Sequence, residues 1–140
     1  MNPAEPLSSN AFTPKLQELS SDLFYISESD YPLEPVQFEY SGTWPLTSTA
    51  IVTLTGQAPD TKVEIVALDY FFRNLTQDSP DNDEDINNMA QRFRELQAYL
   101  QQQLQEAKVY RLGQREIQAY ILGKISDNQI AGLKTTVIET

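Results

Sequence analysis

Carboxylates are the side chains through which this chain could most readily do chemistry, and they concentrate in two segments. The first acidic segment, from Asp22 to Glu39, contains five acids and no basic residue. The second acidic segment, from Asp78 to Asp85, also contains five acids and no basic residue. Paired carboxylates can act as general acid and base on a glycosidic bond. The sequence gives no sign of an aromatic-lined sugar cleft around them, and because acids are abundant, chance pairing is expected.

The second acidic segment does not fit a calcium-binding loop. An EF-hand loop requires glycine at its sixth position and glutamate at its twelfth. Counting from Asp81, these positions hold Ile86 and Arg92, and counting from Asp83 they hold Asn88 and Arg94. We therefore interpret the segment as a solvated loop at the start of a helix, where negative charge suits the helix dipole.

Neither cysteine nor histidine occurs among the 140 residues. Their absence excludes disulfides, thiolate metal sites and every nucleophile that depends on a neighbouring histidine. Ser27 and Ser29 therefore lack the base that would activate a hydroxyl. We expect a protein that is not an enzyme and has no cofactor of its own, with a carboxylate-based hydrolase as the remaining enzymatic alternative.

The formal net charge of −10 and a pI near 4.3 restrict the choice of partner. Repulsion disfavours binding to nucleic acid or to an anionic membrane, whereas a cationic protein surface is favoured. If the two acidic segments lay on one side, they would form a face that resembles a phosphate backbone. Ordinary solubility is the competing explanation. Since no membrane span or secretory signal is evident, we expect a cytoplasmic protein.

The first half of the chain predicts a tail, two helices and two strands. Residues 1–13 are rich in Pro, Ser and Asn, which predicts a disordered tail before a single domain over residues 14–140. A helix should start with Thr13 as N-cap and place Leu16, Leu19 and Leu23 in the core. The further predictions are strands over 36–40 and 51–55, and a short helix capped by Asp69 whose aromatic residues Tyr70, Phe71 and Phe72 are core.

The second half predicts one long helix and three strands. Apolar residues recur every three or four positions after the second acidic segment, and they form one stripe: Ile86, Met89, Ala90, Phe93, Leu96, Leu100 and Leu104. The pattern then changes to a period of two, which predicts strands over 109–112, 117–122 and 130–138. We therefore expect an α+β fold with a largely antiparallel sheet and helices packed against it.

Four motifs, in order and at similar spacing, resemble the cyanobacterial nuclease A inhibitors. They are Ser27-Glu28-Ser29-Asp30-Tyr31-Pro32, Leu68-Asp69-Tyr70-Phe71-Phe72, Val109-Tyr110-Arg111-Leu112-Gly113, and Ala131-Gly132-Leu133 running to Val137-Ile138-Glu139-Thr140. These inhibitors are small acidic proteins that plug the active site of a sugar-non-specific, metal-dependent DNA/RNA endonuclease. The resemblance implies a three-layer α/β/α sandwich related to the pathogenesis-related-1-like arrangement. It also implies a monomer that forms a 1:1 complex with the nuclease.

The resemblance also assigns roles to individual residues. Glu28 is expected to reach the Mg²⁺ or Mn²⁺ ion of the nuclease, with Thr140 alongside. The flanking positions Ser27, Ser29, Asp30 and Glu139 are expected to share the contact, and Gln77 and Asp78 to form a second one. The family has a tryptophan after that Gln-Asp pair, whereas Ser79 and Pro80 follow here. The departure favours a different nuclease, or the alternative of an acidic interaction module for another basic protein.

Overall fold

The computed structural model describes residues 9–139, with side chains from Phe12 onward. Its helices are α1 (Ser9–Ser20), α2 (Ser48–Leu54), α3 (Leu68–Phe71) and α4 (Glu84–Gln103). Its strands are β1 (Phe24–Ile26), β2 (Asp30–Pro32), β3 (Glu34–Glu39), β4 (Val63–Ala67), β5 (Gln105–Leu112), β6 (Glu116–Ser126) and β7 (Gln129–Ile138). None of these helices is long and apolar enough to cross a bilayer.

The main sheet has five strands in the order β3-β7-β6-β5-β4, and every neighbouring pair is antiparallel. The short strands β1 and β2 form a separate antiparallel hairpin. These observations confirm the predicted α+β class and the antiparallel sheet. They also confirm the three C-terminal strands, which lie side by side because short turns connect them.

Alternation along the central strands divides the apolar side chains between two cores, one on each face of the sheet. Val109, Ile121 and Leu133 belong to a large core, whereas Tyr110 and Leu122 belong to a small core. The large core is completed by side chains of α1, α3 and α4, and the small core by side chains of α2 and the loop before it. Each fully buried large side chain stabilises the fold by about 1.5–3 kcal/mol.

The long helix α4 forms where the apolar stripe predicts it. Asp83 is its N-cap, and its carboxylate accepts hydrogen bonds from the backbone N–H groups of Asp85 and Ile86 at 2.9 and 3.2 Å. The buried part of the stripe begins only at Ala90, because Ile86 and Met89 are 51% and 36% exposed on the first turns. Their predicted place in the core is therefore wrong.

Residues 51–55, predicted to be a strand, belong instead to the helix α2 and its C-cap. The side chain of Thr47 caps this helix by accepting a hydrogen bond from the N–H of Ala50 at 3.1 Å. The helix buries Ile51 and Val52 in the small core. This burial outweighs the strand preference of β-branched residues, which depends strongly on context.

Two further boundaries differ from the sequence prediction. The helix α1 begins at Ser9 and includes Pro14, so a start at Thr13 is wrong, and residues 9–13 of the predicted tail are helical. Phe12 explains the early start, because its side chain is fully buried and stacks on Tyr99. Residues 1–8 lie outside the described part of the chain. The helix α3 has Ala67 as its N-cap, so Asp69 lies in the first turn instead.

Candidate partner-binding site

The loop Ser27–Ser29, between β1 and β2, lies against the end of β7. The hydroxyl of Ser27 donates to the carbonyl oxygen of Ser29 at 2.8 Å and accepts from the backbone N–H of Ile138 at 3.1 Å. The backbone N–H of Glu28 donates to the carbonyl oxygen of Ile138 at 3.4 Å. These three bonds hold the exposed Glu28 directly beside the end of the described chain.

Arg111, on β5, joins two carboxylates below this loop. Its Nε donates to Glu64 Oε1 and its Nη2 donates to Glu139 Oε1, both at 2.8 Å. The side chain of Arg111 is only 14% exposed, and Glu64 is its direct partner across the β4–β5 pair. Burial works against the charged guanidinium, but the two carboxylates outweigh that effect, so the pKa of Arg111 lies above its ordinary value.

An open cleft of about 470 Å³ lies between the loop, the β4–β5 edge and α3. Among the described residues, the carboxylates of Glu28, Glu64 and Glu139 line it, together with the guanidinium groups of Arg73 and Arg111. In the described part of the chain, the site therefore combines negative and positive side chains. Of the acids in the two acidic segments, only Glu28 is among the described residues that line the cleft.

Tyr25 and Phe71 form an apolar wall of the cleft. Their rings stack with centroids 4.4 Å apart, and the hydroxyl of Tyr25 donates to the carbonyl oxygen of Phe71 at 2.9 Å. Burial raises the pKa of Tyr25, against the lowering effect of the nearby Arg111 and Arg73. The wall connects the β1–β2 hairpin to α3, so the loop carrying Glu28 rests on packed side chains.

Tyr70 lies at the rim of the same cleft and is 53% exposed, so its predicted place in the core is wrong. The guanidinium carbon of Arg73 lies 3.7 Å from the centre of its ring, and Arg73 Nη1 donates to the carbonyl oxygen of Tyr70 at 2.8 Å. Such a cation–π contact restricts the orientation of an exposed ring. Phe71 and Phe72 are buried, as predicted.

The predicted second contact region is placed elsewhere. Gln77 and Asp78 are exposed, and neither is among the described residues that line the cleft. Asp78 accepts a hydrogen bond from Arg94 Nη1 at 3.1 Å, and the same guanidinium nitrogen donates to the carbonyl oxygen of Thr76 at 2.8 Å. The loop that contains Gln77 and Asp78 is thereby attached to α4.

The structure thus brings some of the predicted residues together. Ser27, Glu28, Ser29 and Glu139 are joined through the loop and the end of β7, and Asp30 starts β2 opposite Ile26. Thr140 lies outside the described residues. Sequence reasoning did not find Arg111, Arg73 or Glu64. Glu64 belongs to β4, a strand that was not predicted, and without that strand nothing indicates its pairing with Arg111.

A metal site within the protein itself has no support in the described part of the chain. Among residues 9–139, no group of three or more His, Cys, Asp or Glu side chains is arranged to hold a metal ion. In the second acidic segment, Asp83 instead caps α4, as the helix-dipole interpretation predicts.

The sequence was compared with protein families and with curated proteins. Residues 10–140 match the sequence model of a protein family described as nuclease A inhibitor-like protein. A comparison with curated proteins gives no match.

Proposed function

The chain belongs to the nuclease A inhibitor-like family, and from this premise we propose that it blocks the active site of a metal-dependent, sugar-non-specific endonuclease. Glu28 is the residue that enters the active site. The observation that carries the proposal is the position of Glu28 on an exposed loop that hydrogen bonds hold against the end of β7.

The chemistry of Glu28 suits such a target. A nuclease of this kind uses Mg²⁺ or Mn²⁺ to bind and polarise a phosphodiester. Hard divalent cations prefer oxygen ligands, so a carboxylate oxygen of Glu28 can occupy the position of a phosphate oxygen. A protein that fills this position also excludes the nucleic acid from the groove.

Hydrogen bonds and packed side chains also support the loop in the absence of a partner. The hydroxyl of Ser27 connects it to Ser29 and to Ile138, and the wall formed by Tyr25 supports it from below. A loop that is already ordered loses less conformational entropy on binding, which favours tight association. The net charge of −10 attracts the protein to a basic catalytic groove and accelerates association at low salt.

The remaining predicted residues complete the proposed interface. Thr140, Ser29 and Asp30 contact the nuclease near its metal ion, and Gln77 with Asp78 forms a separate, outer contact. We further propose that the protein acts as a monomer in a 1:1 complex in the cytoplasm. The finer description of the fold, a three-layer pathogenesis-related-1-like sandwich, also stays a proposal.

A second candidate is an acidic interaction module that binds another basic protein through the same loop. Two observations favour this candidate. The sequence Asp78-Ser79-Pro80 lacks the family's tryptophan, and the carboxylate of Asp78 already accepts a hydrogen bond from Arg94 within the protein. Aromatic anchors often dominate interface energy, and the loss of one costs about 2 kcal/mol or more. Capture of a basic protein that is not a nuclease, at the expense of nuclease binding, would support it.

The experiment is a titration of a purified metal-dependent, non-specific endonuclease with the protein. We expect cleavage of DNA and RNA to fall in proportion to added inhibitor and to vanish at one equivalent. Glu28→Ala should weaken inhibition by at least about 2 kcal/mol, because it removes a charged contact buried in the complex. Inhibition by this variant at the level of the natural sequence would refute the proposed role of Glu28.

A further inference from the structure

We infer that Arg111 is a positioning residue that holds the end of β7 in place for the partner. It does so by binding the carboxylate of Glu139, the residue that follows β7. This inference rests on the proposed function and changes one of its details. Glu139 then acts through Arg111 and does not contact the nuclease directly. The bond of 2.8 Å between Arg111 Nη2 and Glu139 Oε1 carries the inference.

The position of Arg111 suits this role. It lies on β5, whose neighbours in the sheet are β4 and β6, and its side chain is 14% exposed. Glu64, on β4, binds its Nε at 2.8 Å and thereby fixes the direction of the guanidinium. In this orientation, Nη2 of Arg111 faces Glu139, which directly follows the last residue of β7. Arginine is suited to joining two carboxylates because its donors form a rigid fork.

The backbone at the end of β7 also makes hydrogen bonds to two other segments. The N–H of Glu139 donates to the carbonyl oxygen of Arg115 at 2.9 Å, and the N–H of Ile138 donates to the hydroxyl of Ser27 at 3.1 Å. The loop carrying Glu28 is therefore attached to a strand end that Arg111 stabilises through a side chain. Movement of this strand end would be transmitted to Glu28.

Charge repulsion is a second reason for Arg111 to stabilise this strand end. Its guanidinium is the group that both Glu64 and Glu139 bind, and Glu28 lines the same cleft. Without Arg111, the charged groups left among the described lining residues would be three carboxylates and the guanidinium of Arg73. Like charges that are close together favour separation. The end of β7 can relieve this repulsion by moving away from the sheet, because few hydrogen bonds hold Glu139 in the described structure.

The functional consequence concerns mainly the dissociation rate. A strand end that detaches more often presents Glu28 in the binding geometry for a smaller fraction of the time, and bound complexes release more easily. Fixing a contact through supporting residues is a general requirement for precise sites. Arg111 therefore affects the interface although it does not need to touch the nuclease.

The experiment compares Arg111→Met with Arg111→Lys and with the control Arg115→Met. Arg115 is exposed in the turn between β5 and β6, so its replacement removes one positive charge near the same strand end. The first measurement is amide hydrogen exchange of Ile138 and Glu139 in the free protein. We expect Arg111→Met to accelerate exchange about tenfold or more. Arg111→Lys should restore part of the protection, and Arg115→Met should leave it unchanged.

The second measurement is the dissociation rate of the complex with the nuclease, with thermal unfolding as a check on overall stability. We expect Arg111→Met to dissociate about tenfold faster, with Arg111→Lys in between and a folded protein in each case. Unchanged exchange in Arg111→Met would overturn the inference, whatever happens to inhibition. Faster exchange with no inhibition by even the natural sequence would overturn the proposed function and leave the positioning role of Arg111 standing.

Discussion

The replacement Ser27→Ala tests how the loop carrying Glu28 is held. The change removes one hydroxyl, which makes two hydrogen bonds, at 2.8 Å to the carbonyl oxygen of Ser29 and at 3.1 Å from the N–H of Ile138. A typical hydrogen bond contributes about 0.5–1.5 kcal/mol net to stability. The two together stabilise the closed loop by about 1–3 kcal/mol.

Loss of this stabilisation should lower the free energy of local opening of the loop and leave the free energy of global unfolding nearly unchanged. Since 1.4 kcal/mol corresponds to a factor of ten, the amide of Ile138 should exchange about 5- to 150-fold faster in Ser27→Ala. The assay is amide hydrogen exchange followed by NMR on the free protein. Affinity for the nuclease should fall by no more than this factor, because the loop must then be ordered during binding.

Ser29→Ala is the matched control. It also removes a serine hydroxyl from the same loop, but the bond to Ser27 uses the backbone carbonyl of Ser29, which the replacement retains. We expect exchange at Ile138 to be unchanged in this variant. Equal exchange in Ser27→Ala and Ser29→Ala would refute the reasoning that the hydroxyl of Ser27 holds the loop to β7.

Three further predictions concern the small core, the packing of neighbouring strands in the main sheet, and the rim of the cleft. Tyr110→Phe leaves a buried backbone N–H without its partner, so urea unfolding should show a loss of about 1–3 kcal/mol. Burial raises the pKa of Tyr110 above 10.0, so stability present below that pH is lost as the pH rises, and Tyr110→Phe should reduce this alkaline loss. Gly132→Ala should cost about 3 kcal/mol or more in the same assay, because the new methyl group would overlap the carbonyl oxygen of Ile121. Tyr70→Ala should weaken nuclease inhibition about tenfold, whereas Ile65→Ala, another exposed apolar residue but on the small-core face, should not change it.

The parts of the fold that follow from the sequence are those with long, regular patterns. The stripe from Ala90 to Leu100 predicts α4 because helix geometry gathers these residues on one side. The alternation in 117–122 and 130–138 predicts β6 and β7, because successive side chains of a strand point to opposite faces of the sheet. Residues 51–55 are a short segment whose local pattern predicts the wrong element. Ile51 and Val52 favour a strand locally, but the cap at Thr47 and burial in the small core make the segment helical.

The site was predictable only in part, because its residues come from distant segments. The bond between Ser27 and Ile138 joins residues 111 positions apart, and periodicity contains no information about such a pairing. The resemblance to a family suggested that Glu28 acts with the end of the chain. The contact of Arg111 with Glu64 and Glu139 depends on the order of strands in the sheet, which the sequence alone does not indicate.

The measurement that tests the central claim most directly is paramagnetic broadening by the metal ion of the nuclease. The complex is formed with Mn²⁺ in place of Mg²⁺, and NMR signals of the labelled inhibitor are compared between the two metals. Asp127 and Asn128 provide an internal control, because they lie at the other end of the ten-residue strand β7, roughly 30 Å from Ile138.

If a carboxylate oxygen of Glu28 binds the metal ion, Mn²⁺ will erase the signals of Ser27, Glu28 and Ser29 and leave those of Asp127 and Asn128 sharp. A stable complex in which the loop signals persist, or in which the broadening centres on another part of the inhibitor, would contradict the account.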